Sequence, residues 1–380
     1  MPRPYQKNLT PHPSALRPHC LARDRLRLWR PSRSRLDEAS GSIELSELDL
    51  ERILNVINVS WAQGTRDTYG AGLLVYHVFC DMRDIPEDQR CPASLLLIIT
   101  FISSCAGSYA GSTLANYVFA VKAWHLLHGA TWSMNDAEVK AALTGAATLA
   151  PPSSKRPKRK PITITLMERI FARLDLEDTF DSAVAACFST TFYSVSRTGE
   201  FTVPSLNTFD PLLHVKPSDV SNRVDRNNLE VTVFHLPRTK CAEKGEDVFW
   251  SQQDGITDPK INFHNHLRIN SPPRDSHLFA YRHNKGYRPL TKRAFLDRIN
   301  VIAASIGEDN LKGHGIRIGA TLEYLLRGVP FEVVKSLGRW ASEAFVLYLR
   351  QHAVIMALYI QNHAILDAFT HYTMPRARNR

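Results

Sequence analysis

The sequence predicts a mainly α protein of two domains, the second interrupted by one small antiparallel sheet. Three observations lead there. Apolar residues recur at helical spacing from about residue 45 to 149; a Pro- and Lys/Arg-rich stretch, PPSSKRPKRKP (151–161), then breaks every pattern; and helical periodicity returns afterwards with β-forming segments set inside it. A chain of 380 residues is long for one core and suits two domains.

Taken in order, residues 1–44 are rich in Pro, Arg and Ser without apolar periodicity, so a disordered Arg-rich tail is expected; being poor in acidic residues, it equally fits a transit peptide. Residues 45–150 read as a helical bundle. SELDLERILNVINVSWA opens with a Ser46 cap and carries Leu48, Leu50, Ile53, Leu54 and Ile57, and TRDTYGAGLLVYHVFCDM carries Tyr69, Leu73, Tyr76 and Phe79. Three further helices are expected in PASLLLIITFISSCAG, GSTLANYVFAVKAWHLLHG and NDAEVKAALTGAATLA. Residues 151–162 form a basic linker, because the prolines stop a helix and the charges oppose burial. The second domain, 163–372, starts with two helices, TLMERIFARLDL and TFDSAVAACFSTTFYSVSR. Strand character follows in LLHV (212–215), NLEVTVFHLP (228–237) and EDVFW (246–250), with RTKCAEKG as the hairpin turn between the last two. From Pro259 the pattern is helical again, and residues 373–380 are a short basic tail.

Composition narrows the function. With 44% apolar and 22% charged residues, and no apolar run near the roughly 18 needed to span a membrane, a membrane partner is not expected. The richest run, LLLIITFI from Leu95, reads as a buried helix, and no apolar segment after the first basic residues marks a secretory signal. The six cysteines are scattered without a CxxC pair, so neither a zinc site nor a disulfide framework is expected, and a reducing intracellular compartment fits. No metal or cofactor is implied. The net charge of +10 is concentrated in three runs. Residues 1–36 hold eight Arg and one Lys against one Asp, KRPKRK supplies Lys155, Arg156, Lys158, Arg159 and Lys160, and PRARNR ends the chain with three more Arg. Cations gathered in such segments can follow a polyanion backbone by counterion release, or serve simply as solvated tails.

Seven residues in the second domain stand out: Arg197 and Glu200 in SVSRTGE, Lys240 in the hairpin turn, His314 and Arg317 one helical turn apart, and Trp340, followed eight residues later by Tyr348. Each has an ordinary account. Arg197 and Glu200 suit a structural i,i+3 pair, Lys240 a solvated turn, His314 a helix cap after Gly313, and Tyr348 is one of twelve tyrosines.

In this order, however, RTGE, LPRTK, HGIR and LGRWASEAFVLYLR resemble the motif boxes of the tyrosine recombinases, the phage-integrase-like enzymes that break and rejoin DNA. The resemblance runs from about residue 45 to 370, the first domain being similar to the family's helical, SAM-like core-binding domain and the second to its α+β catalytic domain. LPRTK and LGRW look most like the recombinases of crypton-type mobile elements. The resemblance implies a site-specific recombinase or integrase working without metal or ATP through a covalent 3′-phosphotyrosyl intermediate. Tyr348 would be the nucleophile, Arg197 and Arg317 would bind the phosphate oxygens, and Lys240, with Lys244 as competitor, would protonate the leaving oxygen. His314 would assist proton transfer, Trp340 would donate its indole N–H, and Glu200 would orient its neighbours. The step from Trp340 to Tyr348 is eight where nine is commoner, which turns the side chain by about 100° on a helix. Tyr359 is the other tyrosine nearby.

The implied partner is double-stranded DNA, clasped by the two domains, with the linker lysines and arginines on phosphates and Arg66 and Lys122 as first-domain contacts. A homo-tetramer on DNA is implied too, with AVIMALYIQNHAILDAF (353–369) docking into a neighbouring subunit or packing on its own domain. KRPKRK also resembles a nuclear localisation signal. The alternative is a domesticated DNA-binding protein that kept this fold and lost the reaction.

Overall fold

The computed structural model describes residues 2–33, 46–154, 157, 159–239, 242–284, 286–308, 310–340, 345 and 354–355. The chain divides into two compact units, 1–157 and 158–380.

In the first unit α1 (Ala22–Leu28) precedes α2 (Glu47–Asn58), α3 (Gln63–Asp81), the short α4 (Glu87–Arg90), α5 (Leu95–Cys105), α6 (Gly111–His128) and α7 (Asp136–Thr148). Their ends follow local chemistry. Ser46 accepts from the Asp49 N–H while the Asp49 carboxylate accepts from the Ser46 N–H, a reciprocal cap for α2. Gly129, at φ 78°, closes α6 in the left-handed conformation glycine adopts without penalty. Leu73, Tyr76, Ile98, Phe101, Leu114, Trp124 and Leu127 form the core. On α5 the burial is one-sided: Ile98 and Phe101 are sealed, whereas Leu96 is 75% exposed.

The N-terminal segment departs from expectation. Residues 2–33 do not form a disordered tail but fold onto this bundle, with Leu26 and Trp29 fully buried. The Trp124 indole donates to the Trp29 carbonyl at 2.6 Å, and Arg25 donates to the Gly70 carbonyl at 3.0 Å. Gly70 approaches the Ala22 carbonyl so closely that a Cβ would lie 1.7 Å from its oxygen. The arginines that argue against burial are neutralised in place. Arg17 pairs with Asp81 at 3.3 Å and with Glu87, and Arg90 pairs with Asp81 at 2.7 Å. A buried cation is tolerated when a buried carboxylate faces it. Residues 34–45 lie outside the described residues.

The second unit packs α8 (Ile164–Phe171) and α9 (Thr179–Tyr193) against α10 (Pro259–Asn270), α11 (Lys292–Ser305) and α12 (Gly313–Leu326), with α13 (Phe331–Leu337) last. A three-stranded antiparallel sheet, β1 (Val220–Val224), β2 (Glu230–Leu236) and β3 (Glu246–Trp250), lies in that order. The β2–β3 pair forms around the turn expected from RTKCAEKG, with Leu236 opposite Glu246 and Thr232 opposite Trp250. Phe234, Leu236, Val248 and Trp250 carry its inner face into the core.

Two expectations fail here. LLHV is a turn, and the strand preceding β2 is 220–224 instead. The Asp210 carbonyl accepts from the His214 backbone N–H at 2.9 Å, the Asp210 carboxylate accepts from the Leu212 N–H, and Leu212 is left 78% exposed. The stretch after Pro259 is also not wholly helical, since β4 (Tyr281–His283) and β5 (Gly286–Arg288) form a second hairpin. Its signal was HNKG, where Asn284 takes a φ of 46°. The end of the basic linker belongs to this unit. The Ile162 N–H donates to the Gly315 carbonyl at 3.0 Å, and a Cβ on Gly319 would lie 1.8 Å from the Ile162 oxygen. No helix among the described residues is long and apolar enough to cross a membrane.

Buried histidines give the fold an acid sensitivity. His125 accepts from the Ala93 N–H at 2.8 Å and meets the Val121 carbonyl at 2.8 Å, and His266 lies between the Asn270 amide and the Leu278 carbonyl, so each ring is satisfied as the neutral form. Burial pushes both down to about 4, and burial with the nearby His214 and His266 pushes His277 to about 3. The unfolded chain takes up protons near 6.5 while the folded one does not, so stability present above 6.5 drains away as pH falls toward 4. The expected slope is about 1.4 kcal/mol per pH unit per histidine. Urea unfolding at pH 7 and pH 5 checks this: a smaller pH dependence is expected in His266→Gln, and an unchanged one would exclude His266.

Candidate active site

The site is assembled where α9 ends, α12 begins and the chain turns after α13. Ser182 through Tyr193 of α9 are buried without interruption, and past Tyr193 the chain must turn sharply to reach the surface. It does so at Val195, whose φ of 50° is uncommon for a β-branched residue, held by the Val195 and Ser196 N–H groups donating to the Phe192 and Thr191 carbonyls. Arg197 emerges from this turn, its side chain 30% exposed, and heads a single 3-10 turn, Thr198–Glu200.

Glu200 is a hub. Its carboxylate accepts from the Arg197 backbone N–H at 2.8 Å, from the Arg197 guanidinium at 2.9 Å and from the Arg339 guanidinium at 2.6 Å. Burial pushes this carboxyl up, but the Arg339 charge and the hydrogen bonds from Arg197 and Arg339 outweigh it and hold Glu200 below the usual carboxylate range. It therefore stays ionised, with both arginine side chains held against it.

HGIR (314–317), the second box, is fastened to RTGE (197–200), the first. Thr198 Oγ1 donates to the Gly313 carbonyl at 3.1 Å, and a Cβ on Gly313 would lie 2.6 Å from that oxygen, so only glycine admits α12 this close. His314, half-buried, follows in the first turn of α12, and Arg317 lies one turn further on. Arg317 is fully buried. Its guanidinium lies 4.2 Å from the centroid of the Trp340 ring and donates to the Gly338 carbonyl. Gly338 leaves the ring its space, since a Cβ there would fall 1.6 Å from Trp340. Trp340 packs in turn on Phe345, with ring centroids 5.2 Å apart.

Arg197, Glu200, His314, Arg317 and Trp340 thus share one region of the second unit, joined by the contacts through Thr198, Gly313, Gly338 and Arg339. Lys240, Tyr348, Lys155, Arg156 and Lys158 lie outside the described residues, as do Tyr359 and nearly all of 353–369. Lys244 is exposed in the β2–β3 turn, and Arg159 and Lys160 are exposed at the start of the second unit. Arg66, on α3, is half-buried and Lys122, on α6, is exposed, both in the first unit. Arg339 is the residue that sequence reading passed over. It lies inside LGRW, and its partners are remote in sequence.

No protein-family model matches the chain, and no curated protein does. Solved structures do match. The XerH site-specific recombinase bound to a palindromic difH substrate, in a post-cleavage complex, has a TM-score of 0.52 at 13% identity, over 93% of this chain and 94% of that one. The XerH pre-cleavage complex with difH gives 0.49 at 14% identity, over 86% and 87%, and XerA recombinase gives 0.36 at 16%, over 86% and 98%. The fold is that of the tyrosine recombinases: mainly helical, with a small antiparallel sheet.

Proposed function

We propose that the chain is a site-specific DNA recombinase that cuts and rejoins strands through a 3′-phosphotyrosyl intermediate. The observation that carries the reading is the convergence of the first box, the second box and the Trp340 turn on one site. Tyr348 attacks the scissile phosphorus as its phenol proton passes to His314, and the bond to the 5′ oxygen breaks. Lys240, or Lys244 in its place, protonates that oxygen. Arg197 and Arg317 balance the charge gathering on the non-bridging oxygens, and the Trp340 indole N–H adds a donor. No water enters the step, so the phosphotyrosyl ester keeps the energy of the broken bond. Attack by another strand's 5′-hydroxyl reverses the chemistry and reseals the DNA.

The finer features belong to the same proposal. LPRTK and LGRW support a mobile-element recombinase of crypton type, used for integration or excision. Double-stranded DNA is the substrate, with Lys155, Arg156, Lys158, Arg159 and Lys160 on phosphates and Arg66 and Lys122 as first-unit contacts, and a homo-tetramer forms in synapsis. KRPKRK supports a nuclear location. The test is a nicked suicide duplex carrying the element's own ends, from which the released fragment cannot return. A covalent protein–DNA band resistant to boiling in detergent is expected, and its absence on those ends would make the chain a DNA-binding protein without the reaction.

A further inference from the structure

We infer that Arg339 is a positioning residue that locks three parts of the candidate site together, an inference that rests on the recombinase reading. Its backbone is the first indication. At φ 57° it occupies the left-handed region, uncommon for a side chain of this size and kept only where surrounding contacts enforce it. The contacts are those of its guanidinium, 11% exposed. One nitrogen donates to Glu200 at 2.6 Å and the other to Glu246 at 2.8 Å. Glu200 belongs to the first box and Glu246 opens β3, the strand leaving the turn that contains Lys240 and Lys244.

The residue beside it completes the arrangement. The Gly338 carbonyl accepts from Arg317 of the second box, and the Trp340 ring that follows lies against that same guanidinium. Three consecutive residues therefore reach both boxes and the base of the lysine hairpin. A planar fork can serve two carboxylates at fixed angles, whereas a lysine offers a point charge with no such geometry. Without the fork, Glu200 and Glu246 lose the cation between them, Arg197 loses its oriented partner, and the Trp340 turn loses its anchor to the first box. None of this requires Arg339 to touch DNA.

The experiment uses the full chain with Arg339→Ala, Arg339→Gly and Arg339→Lys, each first shown to fold by circular dichroism. Adduct formation on the nicked duplex is measured at saturating DNA, and Kd separately. In Arg339→Ala the rate is expected to fall about 100-fold, the loss typical of a catalytic geometry displaced by an ångström, with Kd within about 3-fold. Arg339→Gly, which relieves the backbone but has no fork, should be as slow, and Arg339→Lys should recover part of the rate. A wild-type rate in Arg339→Ala or Arg339→Gly, or a loss residing wholly in Kd, overturns the inference. Hydrogen exchange without DNA is the second arm: amides of 246–250 and 338–340 should exchange faster in Arg339→Ala than in the wild type, and unchanged exchange also overturns it. If the wild type forms no adduct, the recombinase reading fails, while the exchange arm still decides whether the lock exists.

Discussion

Tyr348→Phe is expected to bind DNA as the wild type does and to form no covalent adduct. The substitution removes one oxygen and leaves the ring, so packing changes little. In the proposed reaction that oxygen is the atom that bonds to phosphorus, so the variant lacks the nucleophile. Loss of a nucleophile from an otherwise intact site typically costs about 10⁴-fold or more, which on the nicked duplex means no visible band. Electrophoretic mobility shift measures the retained affinity. The rival is Tyr359, eleven positions further along the chain. If the adduct persists in Tyr348→Phe and vanishes in Tyr359→Phe, the nucleophile has been misassigned. The eight-residue step from Trp340 makes this comparison worth performing first.

How far the sequence could be read depended on how far apart the interacting residues lie along it. Arg197 with Glu200, and His314 with Arg317, are separated by three positions, so their pairing follows from helical or turn geometry alone. The β2–β3 hairpin was legible for the same reason, a polar turn between two alternating runs. The N-terminal segment was not. Arg17 reads as unburiable until Asp81, 64 positions away, is brought against it. Arg339 is the more consequential case. Its partners stand 139 and 93 positions upstream, and neither spacing nor composition hints at them. LLHV failed in the opposite sense, because a short, largely apolar run has strand character that Asp210 overrides by closing a turn. The residues expected to do chemistry were thus visible as local motifs, and the one inferred to align them was visible only in three dimensions.

Arg317→Lys is expected to lower both the chemistry and the stability, and the pairing of those two losses sets it apart from Arg197→Lys. Arg317 is fully buried, its guanidinium carbon 4.2 Å from the Trp340 ring centroid and one nitrogen on the Gly338 carbonyl. Lysine keeps the charge but can neither stack as a plane nor match the donor fork, and its ammonium is costlier to strip of water. A desolvated cation–π contact is worth about 2 kcal/mol, so a stability loss of roughly 1–3 kcal/mol is expected, read as a lower urea midpoint. The adduct rate should fall about 100-fold or more, as when one preorganised donor to a developing anion is removed. Arg197 is 30% exposed and held through Glu200, so Arg197→Lys should slow adduct formation to a similar degree with little change in the urea midpoint. If Arg317→Lys unfolds at the wild-type urea concentration, the stack on Trp340 contributes nothing to the fold. If both variants keep the wild-type adduct rate, the two guanidiniums do not bind the scissile phosphate. Arg317 is fully buried with its guanidinium against the Trp340 ring, so Trp340→Ala should expose Arg317 while removing the indole donor. A Trp340→Phe variant keeps the stack without the N–H. Its adduct rate therefore separates the two contributions of the ring: near wild type if stacking on Arg317 is what matters, and as slow as Trp340→Ala if the indole N–H is.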